Sequence, residues 1–154
     1  SEIVDEESSS KSNMDEAAKV LSIVNDLLSA GDLTPSDIGV ITPYNGQVRL
    51  LVDLFEQAGG REENEPYAGL EIKSVDGYQG REKEIIVFSA VRANDAGEIG
   101  FLKDRRRLNV ALTRAKRGLI VLGNLKTLRH DSTWRAWLDW AEERNLFAWH
   151  ITHG

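Results

Sequence analysis

The sequence predicts an α/β domain with a largely parallel sheet and helices on both faces. Three observations carry that expectation. Ile38-Gly39-Val40-Ile41-Thr42, Ile85 to Val91 and Gly118 to Gly123 are short runs, apolar at almost every position, as in strands buried on both sides. Segments whose apolar residues follow the helical period alternate with those runs. The 154 residues, 41% hydrophobic and 29% charged, suit one ordinary domain with a single core.

In chain order, Ile3-Val4-Asp5 reads as a strand stub, and the Ser/Glu/Lys-rich stretch from Glu6 to Asn13 as a connector, so that residues 1–12 precede the domain proper at 13–154. Asn13 followed by Glu16 has the form of a helix N-cap with a reciprocal carboxylate. Ala17, Val20, Leu21, Val24, Leu27 and Leu28 then keep the helical period as far as Gly31. After the turn at Pro35 and the strand at 38–42, Thr42-Pro43-Tyr44-Asn45-Gly46-Gln47 breaks the strand at its carboxyl end. A second amphipathic helix carries Val48, Leu51, Leu54, Phe55 and Ala58 on one face, and Gly59-Gly60 stops it.

Arg61 to Gly69 is a polar loop, and Leu70 to Val75 alternates as a strand does. Asp76 to Glu82 is a glycine-bearing break before the strand at Ile85. Asn94 to Gly100 is a turn. Lys103 to Arg117 reads as a helix with Leu108, Ala111, Leu112 and Ala115 on one face, followed by the strand at Gly118. Asp131-Ser132 can cap a last helix with Trp134, Trp137, Leu138 and Ala141 on one face, before an extended Phe147-Ala148-Trp149. Ligands of parallel sheets bind outside the carboxyl ends of the strands, and on this topology the polar breaks and the arginine segment can converge on one edge.

The formal net charge of −6 and a pI near 5.1 argue against a surface coated with positive charge. Any nucleic-acid contact is therefore local. The densest positive charge is Lys103 to Arg117; a basic helix face is ordinarily solvated, but Arg114, between small Thr113 and Ala115, can hold a guanidinium rigidly towards a phosphate. No apolar run reaches the roughly twenty residues of a membrane helix, and the serine-rich acidic start does not resemble a secretory signal. With no cysteine, thiolate metal sites and disulfides are excluded, as suits an intracellular, cytoplasmic or nuclear protein. His130, His150 and His153 lack metal-ligand spacing. No phosphate-cradling Gly-x-x-x-x-Gly-Lys-Ser/Thr loop and no dinucleotide fingerprint occur.

Ser74-Val75-Asp76-Gly77-Tyr78-Gln79-Gly80-Arg81-Glu82-Lys83-Glu84, then Val91-Arg92-Ala93-Asn94, Gly100-Phe101-Leu102 and Arg106 to Ala115 together resemble motifs V and VI of superfamily 1 helicases. They are nearest the branch holding the nonsense-transcript regulator, the immunoglobulin mu-binding helicase and senataxin. Ile41 to Gln47 is similar to that branch's upstream motif, and the resemblance runs from about Asn13 to Asn124. It implies a RecA-like fold, the C-terminal part of the second of two motor domains, which closes on the first across ATP with Mg2+. The resemblance assigns the phosphate loop and the metal-binding carboxylates to that first domain, so this chain alone is expected to be inactive and to bind no nucleotide tightly.

By position, Arg114 matches the arginine that reaches the γ-phosphate, a catalytic role, and Glu82, beside Gly80, matches the glutamate that binds the nucleotide's sugar. Gln79 lies between and is assigned a coupling role. Thr42, Pro43, Tyr44, Ser74 and Val75 match positions near single-stranded RNA or DNA. Two readings stay open for Tyr44, a stacking face or an apolar residue opening the helix; Asp76 reads as the cap of its turn, and the tryptophans as core. Tyr78 stands where phenylalanine is common in the family. The alternative function is a helicase-derived module that binds nucleic acid or protein without hydrolysis.

Overall fold

The computed structural model describes residues 2–4, 11–75, 77–78, 81–90, 113–123, 143 and 147–152. In chain order the elements are β1 (Glu2–Val4), β2 (Lys11–Asn13), helix α1 (Met14–Ser29), a 3-10 turn at Pro35–Asp37, β3 (Ile38–Thr42), α2 (Asn45–Gln57), β4 (Glu71–Ser74), β5 (Lys83–Ser89), β6 (Ala115–Gly123) and β7 (Phe147–Thr152). The last five strands form one sheet in the order β4-β3-β5-β6-β7, every pair parallel. The chain leaves β3 through α2 to β4 on one side, then returns to lay β5 on the other. The order of winding therefore reverses between β3 and β5, the topological switch point of a doubly wound sheet. This is the α/β, RecA-like architecture expected from the alternation of apolar runs and amphipathic helices.

Alternation along the strands sorts the core into two faces. Ile38, Val40, Ile72, Ile85, Val87, Ile120 and Leu122 meet Ala17, Val20 and Val24 of α1 and Leu51 and Phe55 of α2 in one cluster. Each large apolar side chain so enclosed contributes about 1.5–3 kcal/mol. Ile41, Ile86, Phe88, Leu119 and Val121, on the other face, are buried as well. Phe55 meets the edge of Tyr67 at 4.9 Å between ring centroids, and the Tyr67 hydroxyl donates to Asn25 Oδ1 at 2.6 Å. The loop after α2 is thereby tied back to α1.

The expected elements differ from the observed ones in four places. Lys11–Asn13 is a strand paired antiparallel with Glu2–Val4, within a stretch that reads as connector, because a serine-rich segment can still satisfy its backbone in a ladder. Helix α2 opens at Asn45, inside the expected loop. Strand β5 begins two residues earlier than its apolar run, at Lys83. The expected helix does not reach Arg117: Thr113 and Arg114 form a turn and Ala115 opens β6, since Ala115 pairs in register with Lys83. The expected helical residues 103–112, the turn at 94–100 and the tryptophan helix lie outside the described residues. Among the described residues no helix is long and apolar enough to cross a membrane.

Candidate functional site

The strand register divides the sequence-predicted site residues between opposite edges of the sheet, rather than bringing them to one. Thr42 pairs with Ser74 at the carboxyl ends of β3 and β4. Lys83 pairs with Ala115 at the amino ends of β5 and β6, which places Glu82 and Arg114 there. The four residue steps of β3 alone separate the two edges by ~13 Å.

At the carboxyl edge Thr42 is fully buried. Its carbonyl accepts the Val75 N–H at 2.9 Å, while its buried Oγ1 has no hydrogen-bond partner among the described residues. Pro43 is partly exposed, and Tyr44, at the N-cap of α2, is 8% exposed. Ser74 Oγ accepts the Gly77 N–H at 3.0 Å and so caps the turn that the sequence assigned to Asp76. Asp76, Gln79 and Gly80 lie outside the described residues.

The amino edge is a layer of charges. Lys83, only 6% exposed, places Nζ 3.1 Å from Glu71 Oε1 and donates to the Ser36 carbonyl at 2.8 Å. The path from β5 to β4 crosses β3, and it is open because residue 39 is glycine: a Cβ there would stand 3.2 Å from Lys83 Cγ and 3.0 Å from Ile86 Cδ1. A register shift between Lys83 and Ile85 turns Lys83 onto the face of Gly39 while Ile85 enters the opposite core, as a one-residue irregularity does. Arg81 also reaches Glu71, at 3.6 Å. Lys116 and Arg117 pair with Glu84 at 3.7 and 2.9 Å.

Arg114 stands apart from these paired cations. Its carbonyl accepts the Lys83 N–H at 3.0 Å, which ties the turn to β5, but its Nε is buried without a hydrogen-bond partner. Among the described residues no carboxylate pairs with it. Nearby Tyr78 is buried, and its hydroxyl donates to the Arg81 carbonyl. Burial and then the Glu71 carboxylate push the Tyr78 phenol up to about 12, while Arg114 and Arg81 pull it back, so it remains a donor at neutral pH. Glu82 is exposed at this edge, one residue from the Tyr78-bonded Arg81. The edge thus presents a guanidinium that no carboxylate among the described residues pairs with, its Nε without a hydrogen-bond partner, and an exposed carboxylate. A planar cation suits a phosphate and a carboxylate suits sugar hydroxyls. Among the described residues no group of three or more His, Asp or Glu side chains converges as a metal site.

Sequence reasoning missed Glu71, Lys83 and Tyr78 as parts of this edge. The signal for the first two was the lone glycine inside an otherwise apolar strand, which marks a close approach by another group.

The AAA domain family model matches residues 1–126. The chain is 47% identical over 134 residues to Regulator of nonsense transcripts 1 of Dictyostelium discoideum, covering 87% of this chain and 10% of that protein. It is 47% identical over 138 residues to the DNA polymerase alpha-associated DNA helicase A of Schizosaccharomyces pombe (89% and 20%). With the probable helicase MAGATAMA 3 of Arabidopsis thaliana it shares 41% over 138 residues (88% and 16%). The chain spans between a tenth and a fifth of these relatives' length. Its relatives include proteins named as helicases, and, matched over more than three quarters of its residues, the chain belongs to the AAA domain family.

Proposed function

We propose that residues 13–154 are the C-terminal part of the second RecA-like motor domain of an ATP-dependent superfamily 1 helicase. In the whole protein the amino edge meets ATP held by the first motor domain, with Gly80 and Glu82 on the nucleotide and Arg114 on the γ-phosphate. The carboxyl edge, through Thr42, Pro43, Tyr44, Ser74 and Val75, lies along single-stranded RNA or DNA, and Gln79 couples the two. The observation that carries this reading is the charge pairing at the amino edge: Arg81, Lys83, Lys116 and Arg117 each have a carboxylate within 4.0 Å, whereas Arg114 Nε is buried without a partner.

A buried donor left unmade costs about 1–3 kcal/mol, and a phosphate oxygen arriving from outside the chain would satisfy it. As phosphoryl transfer develops, negative charge on the equatorial oxygens meets a permanently protonated, planar fork, an effect worth on the order of a thousandfold or more in rate. Anchoring through the Arg114 carbonyl to Lys83 holds that fork at the end of a rigid strand, so little reorganisation is needed at the moment of transfer.

The test is Arg114→Ala in the full-length protein. Steady-state ATP turnover falls about a thousandfold while single-strand affinity, measured by fluorescence anisotropy, stays within about twofold because the change lies at the opposite edge. Arg114→Lys does not restore turnover, since an ammonium lacks the bidentate fork. Near-normal turnover in either variant refutes the assignment.

A further inference from the structure

The carboxyl edge holds a buried polar network that neither half of the proposed site uses. Gln47 Oε1 accepts the Asn13 N–H at 2.7 Å, and Gln47 Nε2 donates to the Asn13 carbonyl at 3.2 Å and to Ser89 Oγ at 3.2 Å. Ser89 Oγ donates to Glu16 Oε1 at 2.7 Å, and Asn13 Oδ1 accepts the Glu16 N–H at 3.0 Å. Glu16, Gln47 and Ser89 are 0% exposed and Asn13 2%. The bonds have one direction. Both protons of the Gln47 amide are used, the Ser89 hydroxyl accepts one of them, and its own proton therefore goes to Glu16.

Position gives this network its meaning. Ser89 ends β5 and Gln47 lies in the first turn of α2, the helix that follows β3, so the network joins the start of that helix to the end of β5, and β3 and β5 are the strands between which the winding of the sheet reverses. In doubly wound sheets that crevice receives ligands; here its floor is filled by the chain's own side chains. Buried polar groups add little net stability compared with apolar packing, but a fully satisfied network selects one geometry. The segment Pro43–Gly46 is held at one end by Thr42 in β3 and at the other by Gln47, whose amide treats the Asn13 backbone as a neighbouring strand would. Its height above β5 is thus set by the Gln47 bonds to Asn13 and Ser89.

We infer that Gln47 and Ser89 are positioning residues for single-strand binding, fixing the Thr42–Tyr44 segment relative to β5. The inference rests on the carboxyl-edge half of the proposed function. In the full-length protein, ATPase is titrated with oligouridine and, in parallel, oligodeoxythymidine, for Gln47→Met and Ser89→Ala. Val87→Ala serves as the control: it opens the same strand's core without touching the network. Loss of one or two buried hydrogen bonds raises the strand concentration for half-maximal ATPase about tenfold, with kcat at saturating strand retained, and Val87→Ala leaves that concentration in place. Ser89→Ala removes a single buried oxygen and is the milder variant should Gln47→Met unfold. Unchanged half-saturation in the network variants, or an equal rise in Val87→Ala, reduces the network to a stability element and overturns the inference. An unmodified protein whose ATPase neither strand stimulates overturns the carboxyl-edge reading itself.

Discussion

Neutralising Glu71 is expected to destabilise the protein more than removing the buried lysine that it faces. Lys83 is 6% exposed, with Nζ 3.1 Å from Glu71 Oε1, whereas the Glu71 side chain is 24% exposed. Glu71→Gln keeps an amide oxygen that can accept from Nζ but removes the neutralising charge, so among the described residues the enclosed ammonium is left with neutral oxygen partners, that amide and the Ser36 carbonyl at 2.8 Å. Stranding a charge in a fully buried pair costs about 3–5 kcal/mol. Partial access of water to this pair brings the expectation to about 2 kcal/mol. Lys83→Met keeps an unbranched stem over Gly39 and removes the charge, and the partly exposed Glu71 keeps Arg81 at 3.6 Å and solvent, so its cost is below about 1 kcal/mol. The double variant then resembles Lys83→Met, a coupling of at least ~1 kcal/mol in the cycle. Urea unfolding followed by circular dichroism at neutral pH measures each corner, with constant m-values as the check on two-state behaviour. Additive costs, or a Lys83→Met variant weaker than Glu71→Gln, refute the reasoning.

Gly60 has φ +97°, and a Cβ there would lie 2.5 Å from Glu65 Oε1, the oxygen that accepts the Glu62 N–H at 2.7 Å; Gly60→Ala therefore costs more than about 1 kcal/mol in thermal unfolding, and an unchanged melting temperature contradicts this. The Asp37 carboxyl is held below its ordinary value of 3.8 first by the Thr34 backbone N–H, which outweighs the opposing desolvation, and to a lesser degree by the Thr34 hydroxyl, Arg117 and Lys83. Since the folded value is depressed, the stability that it contributes is complete above the ordinary value and disappears as pH falls through the folded one. Asp37→Asn should accordingly be less stable than the unmodified chain at pH 7 and indistinguishable from it in strong acid; a difference that persists in strong acid rules out this linkage.

Local signals in the sequence reached as far as local causes do. Asn13 is legible as an N-cap because its side chain serves the Glu16 N–H three residues on, at 3.0 Å. The reciprocal half of the expected capping box is not what forms: the Asn13 N–H donates to Gln47, and the Glu16 carboxylate accepts from Ser89, 73 residues away. No window of the sequence contains both members of such a pair. The existence of β3, β5 and β6 was legible from apolar runs, but their ends were not, because Lys83 and Ala115 become strand through pairing with each other. The division of the site into two edges had the same origin. Thr42 and Arg114 lie apart because Thr42 closes β3 whereas Arg114 precedes β6, and these strands run parallel, a direction that local periodicity does not encode.

Both edges nevertheless hang on one strand. The amino end of β5 carries the Lys83 ladder bond to Arg114 and the bridge to Glu71, and its carboxyl end carries Ser89 and the bonds to Gln47 and Glu16. Between them Ile86, Val87 and Phe88 are wholly buried, with β3 on one side and β6 on the other. Close-packed interiors transmit strain rather than absorb it, so β5 cannot shorten or bend without opening contacts on both faces of the sheet. On the proposed reading, displacement of Arg114 by a nucleotide therefore has a rigid path of one strand's length to the Thr42–Tyr44 segment, and the residues that fasten its ends are Lys83 and Ser89. A chain that placed nucleotide and strand contacts on one edge would need no such strut; separating them makes the sheet itself the connection.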